Sequence, residues 1–311
     1  MPRFTDEELK KKVHEGFIVE SEDEMTPGYK KALITQLTVQ GDTELMSAPA
    51  YFMVARDAPS TNTMVSATAI LQDELGHANI AYRLLEDLGV SRHYLLYERA
   101  PNEFKNPYGF DQSLENWADL VCANGFFDRA GITLLGDIHR NTSYGPLKRA
   151  LVKVDLEENF HLRHGEVWMR RLAQAGGECR EKLQRAADWM FSTGVEWFGM
   201  PDTKKRHSGQ LEYRLKGMSN DQLRQAWLNA VVPLCEELGL AIPAHWDAGS
   251  KHAVVDYEYP CNYDEDAKRW LLEEPITWEQ AFQRWRRRGP MNEAFVDSVR
   301  RSRSWLERVL S

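Results

Sequence analysis

Two Glu-x-x-His motifs, 84 residues apart, are the feature of this chain that points most directly to chemistry. A further carboxylate precedes each motif by 30 residues, so the whole pattern occurs twice at one offset. The six residues are Glu44, Glu74, His77, Asp128, Glu158 and His161. A carboxylate followed by a Glu-x-x-His, present twice, is the ligand set of a two-metal carboxylate site in a four-helix bundle. One such motif is a weak signal, but a matched pair is strong.

Helix geometry supports this interpretation at the level of single turns. At 3.6 residues per turn, Glu74 and His77 lie on one face of a helix, and so do Glu158 and His161. Each motif therefore supplies half of a site. Two such helices facing each other, each paired with a helix that carries one more carboxylate, would enclose two metals.

The distance from the connecting turns selects the carboxylate of the third helix. Turn signals surround Ala58 and Tyr144. Counted from these two residues, the four carboxylates of the pattern lie 14 or 16 residues away, which is about 21–24 Å at 1.5 Å rise per residue. The rival acids Asp137, Asp119 and Glu115 lie 7, 25 and 29 residues from Tyr144. Only Asp128 reaches the same level, so it is chosen although it is shorter than the usual Glu.

Four long helices are needed to position these residues. Periodicity and turn signals predict them over 29–56, 60–88, 114–139 and 144–175. A crossover is predicted over 89–112, as in ferritin-like bundles. Beyond the bundle we predict a fifth helix over 178–197, a polar loop over 200–218 and a helix over 220–238. We also predict mostly irregular chain over 240–275, and two short helices over 278–310 that are separated at Gly289-Pro290.

The chain is therefore predicted to be mainly α, a ferritin-like four-helix bundle with extra C-terminal helices and an irregular tail. We divide it into an N-terminal extension over 1–28 and the bundle with its fifth helix over 29–199. A C-terminal helical and irregular extension over 200–311 is expected to pack on the bundle.

Composition excludes several classes of protein. The net charge of −8 argues against a nucleic-acid surface. No apolar run approaches the 18 or so residues of a membrane helix. The acidic start of the chain lacks the apolar stretch of a signal peptide, and the four cysteines are scattered without a Cys-x-x-Cys pair. We expect a cytoplasmic protein with reduced thiols, no nucleic-acid partner and no membrane.

Several motifs together resemble one known family. They are Gln72-Asp73-Glu74-Leu75-Gly76-His77, Thr142-Ser143-Tyr144-Gly145-Pro146, Glu157-Glu158-Asn159-Phe160-His161, Asn220-Asp221-Gln222-Leu223-Arg224-Gln225, Val232-Pro233 and Leu238-Gly239. They are similar to the catalytic subunit of the bacterial phenylacetyl-CoA epoxidase family, and the likeness extends from Tyr29 to the C-terminal region. The Glu-x-x-His motifs are shared by ferritin-like di-iron enzymes in general, whereas the Tyr-Gly-Pro stretch and the later segments are more particular.

The resemblance implies an oxygen-dependent di-iron monooxygenase that epoxidises the aromatic ring of an aryl-CoA thioester, such as phenylacetyl-CoA, in aromatic catabolism. It implies as partners a homologous ferritin-like subunit without the metal site, a small bridging subunit, and a flavin and iron–sulfur reductase. That reductase would deliver electrons from NADPH. This chain has neither a Gly-x-Gly-x-x-Gly fingerprint nor a cysteine cluster, so the electrons must come from a separate protein.

The six pattern residues fall where that family places its metal ligands, including the Asp in the third position. We expect Glu74 and Glu158 to bridge the metals and each His to bind one metal, with the other two carboxylates as terminal ligands. Oxygen ligands with one imidazole per metal suit two iron ions, with manganese less favoured. The candidate catalytic residues are Glu74, Asp128, Glu158 and Asp73. One departure is Ile70, which stands where the family has a lysine.

Other residues near the pattern have two interpretations each. Asp73 and Glu157 precede the motif glutamates directly, and each could accept a hydrogen bond from the histidine of its own helix or from that of the other helix. Five glycines lie within four residues of a ligand, which indicates either space for oxygen or substrate, or close helix packing. They are Gly41, Gly76, Gly125, Gly131 and Gly165.

Three alternatives to the aryl-CoA epoxidase stay open. A ferritin-like iron-oxidising or storage protein would form a cage and need no reductase, but it fits poorly with the long chain beyond the fourth helix. A non-catalytic scaffold subunit of the same complex would not need an intact ligand set. A related di-iron oxygenase would act on a different acyl-CoA. The binding residues for CoA are not identified by any motif, although the arginines at 284–288 and the basic run at 204–207 are candidates.

Overall fold

The computed structural model describes residues 3–204 and 209–310. Its centre is a bundle of long helices. α1 (Asp6–His14) precedes α2 (Pro27–Ala55) and α3 (Thr61–Asp87), and the second half of the bundle comprises α4 (Trp117–Ala123), α5 (Arg129–Asn141) and α6 (Gly145–Ala175). α7 (Gly177–Trp197) packs against α4 and α6. The mainly α, ferritin-like prediction is confirmed.

Local capping explains where the first pair of helices begins. The Thr26 hydroxyl accepts a hydrogen bond from Tyr29 N at 3.2 Å, and Pro27 occupies the first turn of α2, where its missing N–H leaves no helical bond unmade. The Ser60 hydroxyl accepts from Thr63 N at 3.2 Å and caps α3. The tight connection between Ala55 and Thr61 makes α2 and α3 neighbours along their whole length.

The third long helix contains a π-helical turn that ends at the candidate ligand Asp128. Between α4 and α5, residues Asn124–Asp128 form a turn of π-helix, and all five are buried. A π turn inserts one extra residue into a helix and is common at functional sites. It rotates Asp128, the last residue of the turn, relative to a regular helix. The sequence predicted a helix over 114–139, and the structure adds this π turn within it.

The crossover between α3 and α4 is fastened to the bundle by a buried ion pair. Arg99 Nη1 donates to Asp42 Oδ2 at 2.8 Å, and Tyr82 OH donates to Asp42 Oδ1 at 2.7 Å. Lys105 N also donates to Asp42 Oδ2, at 2.8 Å. Asp42 is fully buried and Arg99 is 4% exposed. Because Arg99 and Lys105 belong to the crossover, Asp42 holds this predicted long connection against α2.

Residues 240–275 contain two β-hairpins, so the prediction of mostly irregular chain was wrong. β1 (Ala244–Asp247) pairs antiparallel with β2 (His252–Val255), and β3 (Cys261–Asp264) pairs with β4 (Arg269–Pro275). The Asp247 carboxylate accepts from Gly249 N at 2.9 Å and from Ser250 N at 3.2 Å, which closes the first turn. The Asp-x-Gly-Ser run is a turn signal of this kind, but the strands beside it are only four residues long and give little further signal.

The C-terminal region covers the bundle. α8 (Gly209–Glu212) and α9 (Asn220–Leu238) are followed by the hairpins and then by α10 (Trp278–Arg287) and α11 (Pro290–Leu310). The helix break at Gly289-Pro290 was predicted correctly, but α11 has 21 residues and is not short. Within 3–204 and 209–310, no helix combines the length and hydrophobicity of a membrane span.

Two arginines of the predicted basic segment 284–288 are structural. Arg284 is 5% exposed and forms an ion pair with the buried Glu196 at the end of α7. Arg288 is 6% exposed, and its Nε lies 3.3 Å from Asp111 Oδ2 in the crossover. Both side chains are therefore unavailable for CoA or for another protein. The basic run at 204–207 lies outside the described residues from Lys205 onward.

Candidate metal centre

The structure brings the six pattern residues together in two adjacent clusters. One contains Glu44, Glu74, His77 and Glu158, and the other contains Glu74, Asp128 and His161. Within each cluster the candidate ligand atoms lie within 4.8 Å of one another, and every member is buried. Glu74 belongs to both clusters, which is the position of a bridging carboxylate. These residues come from α2, α3, α6 and the π turn, and so from all four helices of the bundle.

Each histidine is oriented by a carboxylate from the opposite motif. His77 Nε2 lies 3.1 Å from Glu157 Oε2, and His161 Nε2 lies 3.3 Å from Asp73 Oδ2. The two alternatives that the sequence left open are thereby decided, because the pairs cross between α3 and α6. A ligating histidine commonly donates its second N–H to a carboxylate, which sets its tautomer. Here this donation frees Nδ1 of both rings to bind a cation.

Both Nδ1 atoms point into the carboxylate clusters. His77 Nδ1 lies 3.2 Å from Glu158 Oε1, and His161 Nδ1 lies 3.3 Å from Glu74 Oε1. Neither Nδ1 atom has a hydrogen-bond partner, although both are buried. Buried polar atoms without a partner are uncommon and call for an explanation. A metal ion that accepts the nitrogen lone pairs would satisfy both of them.

The electrostatics of the clusters favour positive charge. Burial alone would lower the pKa of His77, but the nearby carboxylates of Glu158 and Glu44 outweigh it and raise the pKa to about 12. The pKa of His161 rises to about 10 in the same way, with Glu74 as its strongest carboxylate neighbour. Burial and the charges of Glu74 and Glu158 raise the pKa of Asp128 to about 8. Metal ions replace protons at such sites, so this donor set fits two cations.

Three side chains that the sequence did not identify support the clusters. The Tyr51 hydroxyl donates to Asp128 Oδ1 at 2.6 Å, and Asn124 Nδ2 donates to Asp128 Oδ2 at 2.8 Å. The Ser47 hydroxyl donates to Glu74 Oε2 at 2.7 Å. Their positions follow helical spacing, because Ser47 and Tyr51 are three and seven residues after a pattern carboxylate and Asn124 is four residues before one. A search for polar residues at these offsets would have found them.

The rival acids have other partners. Asp137 Oδ2 accepts from Gly217 N at 2.8 Å and from Met218 N at 3.0 Å, and so ties α5 to the chain before α9. Asp119 accepts from Glu115 N at 2.7 Å at the start of α4. The choice of Asp128 thus agrees with where the side chains lie, while the metal-ligand roles themselves remain a prediction.

A cavity of about 250 Å³ opens onto both clusters. The residues Glu44, Glu74, Asp128 and Glu158 are part of its lining. Much of the lining is apolar or aromatic, and includes Pro107, Phe110, Phe127, Leu134, Leu135, Ile138, Trp197, Phe198 and Leu223. Its remaining lining includes Gln36, Gln40, Gln210, Lys216 and Asn220, which are polar. The carboxylates therefore meet an apolar chamber.

The five glycines near the ligands divide between the two interpretations. A Cβ on Gly41 would lie 2.8 Å from the Tyr82 ring, and one on Gly165 would lie 2.6 Å from Gly125 N. Gly125 itself faces the Met169 sulfur, so these three permit close helix packing. Gly131 lines the cavity, and a Cβ there would meet only Glu158 Oε2, at 3.7 Å. Gly131 therefore provides space beside the cluster, and Gly76 faces open surroundings.

Comparison with known proteins agrees with this arrangement. The family model for phenylacetic acid catabolic proteins matches residues 7–266, which is most of the chain. The chain belongs to this family. It is 30% identical to one of the subunits of 1,2-phenylacetyl-CoA epoxidase from Escherichia coli K12, over 291 residues that cover 88% of this chain and 93% of the relative. The resemblance noted from the sequence motifs is confirmed.

Proposed function

We propose that this protein is the metal-bearing subunit of a multicomponent di-iron monooxygenase that epoxidises the aromatic ring of an aryl-CoA thioester. Phenylacetyl-CoA is the proposed substrate, since the relative from Escherichia coli is a subunit of the epoxidase for that thioester. The observation that carries the proposal is that the carboxylates of two carboxylate–histidine clusters line a cavity rich in aromatic side chains.

The proposed iron ligands are Glu44, Glu74, His77, Asp128, Glu158 and His161. Bound iron would supply the activation of O₂ there. The chain itself shields the site from bulk solvent, because the four carboxylates are between 3% and 6% exposed. Glu157 and Asp73 keep the two imidazoles in the tautomer that binds metal through Nδ1. Asp73 thus acts through His161 in this proposal, as a positioning residue.

The apolar and aromatic part of the cavity lining suits an aromatic ring. Phe110 packs edge to face on Phe127 and on Trp197, with ring centroids 5.6 and 5.3 Å apart. Aromatic pairs of this geometry are favourable and help to maintain the shape of the chamber. A substrate ring placed there displaces water and lies next to the clusters. The thioester and its polar arm then extend toward Gln40 and Lys216, which also line the cavity.

Two buried amide oxygens support a polar substrate arm along the same cavity. Gln36 Oε1 and Gln40 Oε1 have no hydrogen-bond partner, and the two residues are one turn apart on α2. They are only 5% and 7% exposed. The N–H groups of an acyl-CoA arm are suitable donors for them. Unpaired buried acceptors cost free energy, so a ligand that pairs them gains affinity.

The electrons and the remaining subunits come from other proteins in this proposal. The net reaction consumes O₂, NADPH and one proton and yields the ring epoxide, water and NADP⁺. We propose a flavin and iron–sulfur reductase as the electron source, a homologous ferritin-like subunit without the metal site, and a small bridging subunit. The name of the relative, which is one subunit of an enzyme, supports an assembly of this kind. A cytoplasmic location is part of the same proposal.

Ile70 gives the proposed site one distinctive property. It is 1% exposed, one turn before Glu74 on α3, where the resemblance predicts a lysine. An aliphatic side chain cannot neutralise the carboxylates or donate a proton to them. In this proposal the missing charge bears on the electrostatics around Glu74, and aryl-CoA thioesters with other substituents on the ring belong in the substrate screen.

The test is reconstitution with the complete set of components. The iron-loaded protein, its partner subunits, the reductase, NADPH and isotopically labelled O₂ are mixed with phenylacetyl-CoA, and the CoA esters are analysed by mass spectrometry. We expect one labelled oxygen atom in the product. Glu74→Ala should abolish this product in a folded protein, and Glu86→Ala, an exposed residue of the same helix, should not.

The outcomes of this experiment distinguish the proposed epoxidase from the three alternatives. Failure of a folded, iron-loaded complex to oxygenate any aryl-CoA thioester would overturn the proposal. Labelled product from another acyl-CoA alone would keep the oxygenase and replace its substrate. A 24-subunit shell in a sizing experiment would favour iron storage, and full activity of the complex with a metal-free chain would favour a scaffold role.

A further inference from the structure

Asp128 is held from both sides of its carboxylate. Tyr51 OH donates to Oδ1 at 2.6 Å, and Asn124 Nδ2 donates to Oδ2 at 2.8 Å. Each carboxylate oxygen has two lone pairs, so one on each atom is still available for a metal. With two donors from different helices, the plane of the carboxylate cannot rotate without losing a hydrogen bond. Its orientation is therefore set before a cation binds.

The amide of Asn124 is in turn set by His164. Asn124 Oδ1 lies 3.2 Å from His164 Nδ1, and Asn124 is fully buried. An amide oxygen only accepts, so His164 must carry its proton on Nδ1. If the amide were inverted, its oxygen would face Asp128 Oδ2 at hydrogen-bond distance, acceptor against acceptor. The donor on His164 therefore selects the one amide orientation that supports Asp128.

The backbone around this pair is closely packed. A Cβ on Gly165, the residue after His164, would lie 2.6 Å from Asn124 Cβ. The absence of that Cβ lets α6 approach the π turn closely enough for the two side chains to meet. The His164 ring lies against Trp117 and Phe160, with ring centroids 5.7 and 6.3 Å apart. His164 Nε2 is buried without a hydrogen-bond partner, so the ring makes its polar contact through Nδ1.

We propose that His164 is a positioning residue for one of the two metals, acting through Asn124 on Asp128. The inference rests on the proposed metal site but not on its substrate. It predicts that loss of the Nδ1 donor weakens the metal of the cluster that contains Asp128, while the metal of the other cluster is bound as before. Polar partners of metal ligands commonly contribute 10- to 100-fold to metal affinity or activity.

The experiment is a titration of the metal-free protein with Co²⁺, whose absorption spectrum reports ligand geometry. Three variants separate the donor from the bulk of the ring. His164→Leu removes the donor, His164→Gln places an amide at the position of Nε2, and His164→Asn places an N–H at the position of Nδ1. His139→Leu serves as the control, because His139 is a half-buried residue of α5 whose Nδ1 lies 3.8 Å from Asp155.

We expect the Leu and Gln variants to lose about tenfold or more in affinity for one Co²⁺ equivalent, with an altered spectrum for that equivalent only. The Asn variant should stay within about threefold of the wild type for both equivalents, and so should the control. A general loss of packing would instead lower both equivalents together.

Three results would overturn the proposal. They are unchanged affinity in both the Leu and the Gln variant, an equal loss at both equivalents, and an Asn variant as weak as the Leu variant. If His164→Leu does not fold, His164→Gln carries the same expectation. Failure to oxygenate an aryl-CoA thioester leaves these affinities untouched, so the two proposals fail separately.

Discussion

The crossed histidine–carboxylate pairs make the most specific prediction about the site. Asp73 on α3 contacts His161 on α6, although His77 is one turn away on its own helix. Replacing Asp73 by Leu should therefore weaken the metal at His161 and leave the metal at His77 unaffected. The replacement Asp73→Asn keeps an acceptor but removes the charge, so its effect should be smaller.

The expected magnitude follows from the contact. The distance of 3.3 Å is at the long end for a hydrogen bond, and the Asp73 side chain is 24% exposed. We therefore take the lower end of the usual 10- to 100-fold effect of such partners. The expected loss for Asp73→Leu is about tenfold, equivalent to about 1.4 kcal/mol. Glu157 lies closer to its histidine, at 3.1 Å, but it also pairs with Lys153, so Glu157→Leu should cost a similar amount.

A double-mutant cycle identifies which metal is affected. Metal affinity is measured by competition with a chelator in wild type, Asp73→Leu, His161→Ala and their combination, and then with His77→Ala in place of His161→Ala. Residues that act as a pair give non-additive effects, whereas distant residues add. Asp73→Leu should have no further effect in the His161→Ala background and its full effect in the His77→Ala background. The opposite pattern would show that Asp73 serves its own helix and would refute the crossed arrangement.

The remaining predictions concern stability. Gly131→Ala should raise the free energy of unfolding by up to about 1 kcal/mol, as usual in helices, and Gly165→Ala should lower it by several kcal/mol, since its Cβ would clash with backbone. Asp42→Asn should cost about 3–5 kcal/mol because it leaves the buried Arg99 unpaired. Burial raises the pKa of Glu196 from 4.5 to about 6, so the folded state binds more protons than the unfolded state between these two pH values. The free energy of unfolding of the wild type, relative to that of Glu196→Gln, should therefore fall by about 2 kcal/mol as the pH rises through this range.

The free energies of unfolding of all these variants are measured by urea unfolding monitored by circular dichroism. A destabilised Gly131→Ala protein would show that the space beside Glu158 is packed. Equal effects of Asp42→Asn and of a substitution at an exposed acid such as Glu86 would contradict the buried pairing with Arg99. A pH-independent difference between wild type and Glu196→Gln would contradict the raised pKa of that carboxyl.

Helix periodicity explains why so much of the site was predictable. The residues of a Glu-x-x-His motif share a helix face whatever surrounds them. Equal distances from two turns then place four carboxylates at one level of a bundle, which is why Asp128 could be chosen over Asp137. The four long helices and the crossover also followed from local signals. In contrast, the hairpins over 244–275 were missed, because short strands have few residues with which to reveal their alternation.

The sequence by itself determined the helices, the level of the six candidate ligands and the family, since each depends on spacing along one chain segment or on motifs within it. Only the tertiary structure decided which side chains meet across helices. It pairs Asp73 with His161 on the other motif helix, and it places Tyr51 and Asn124 in hydrogen-bond contact with Asp128. It also places His164 in contact with Asn124. It also turned Arg284 inward to Glu196. The physical reason is that helix spacing specifies a face, whereas the contact made by that face depends on rotation and close approach. Here the π turn sets the rotation of Asp128, and Gly165 permits the close approach of α6.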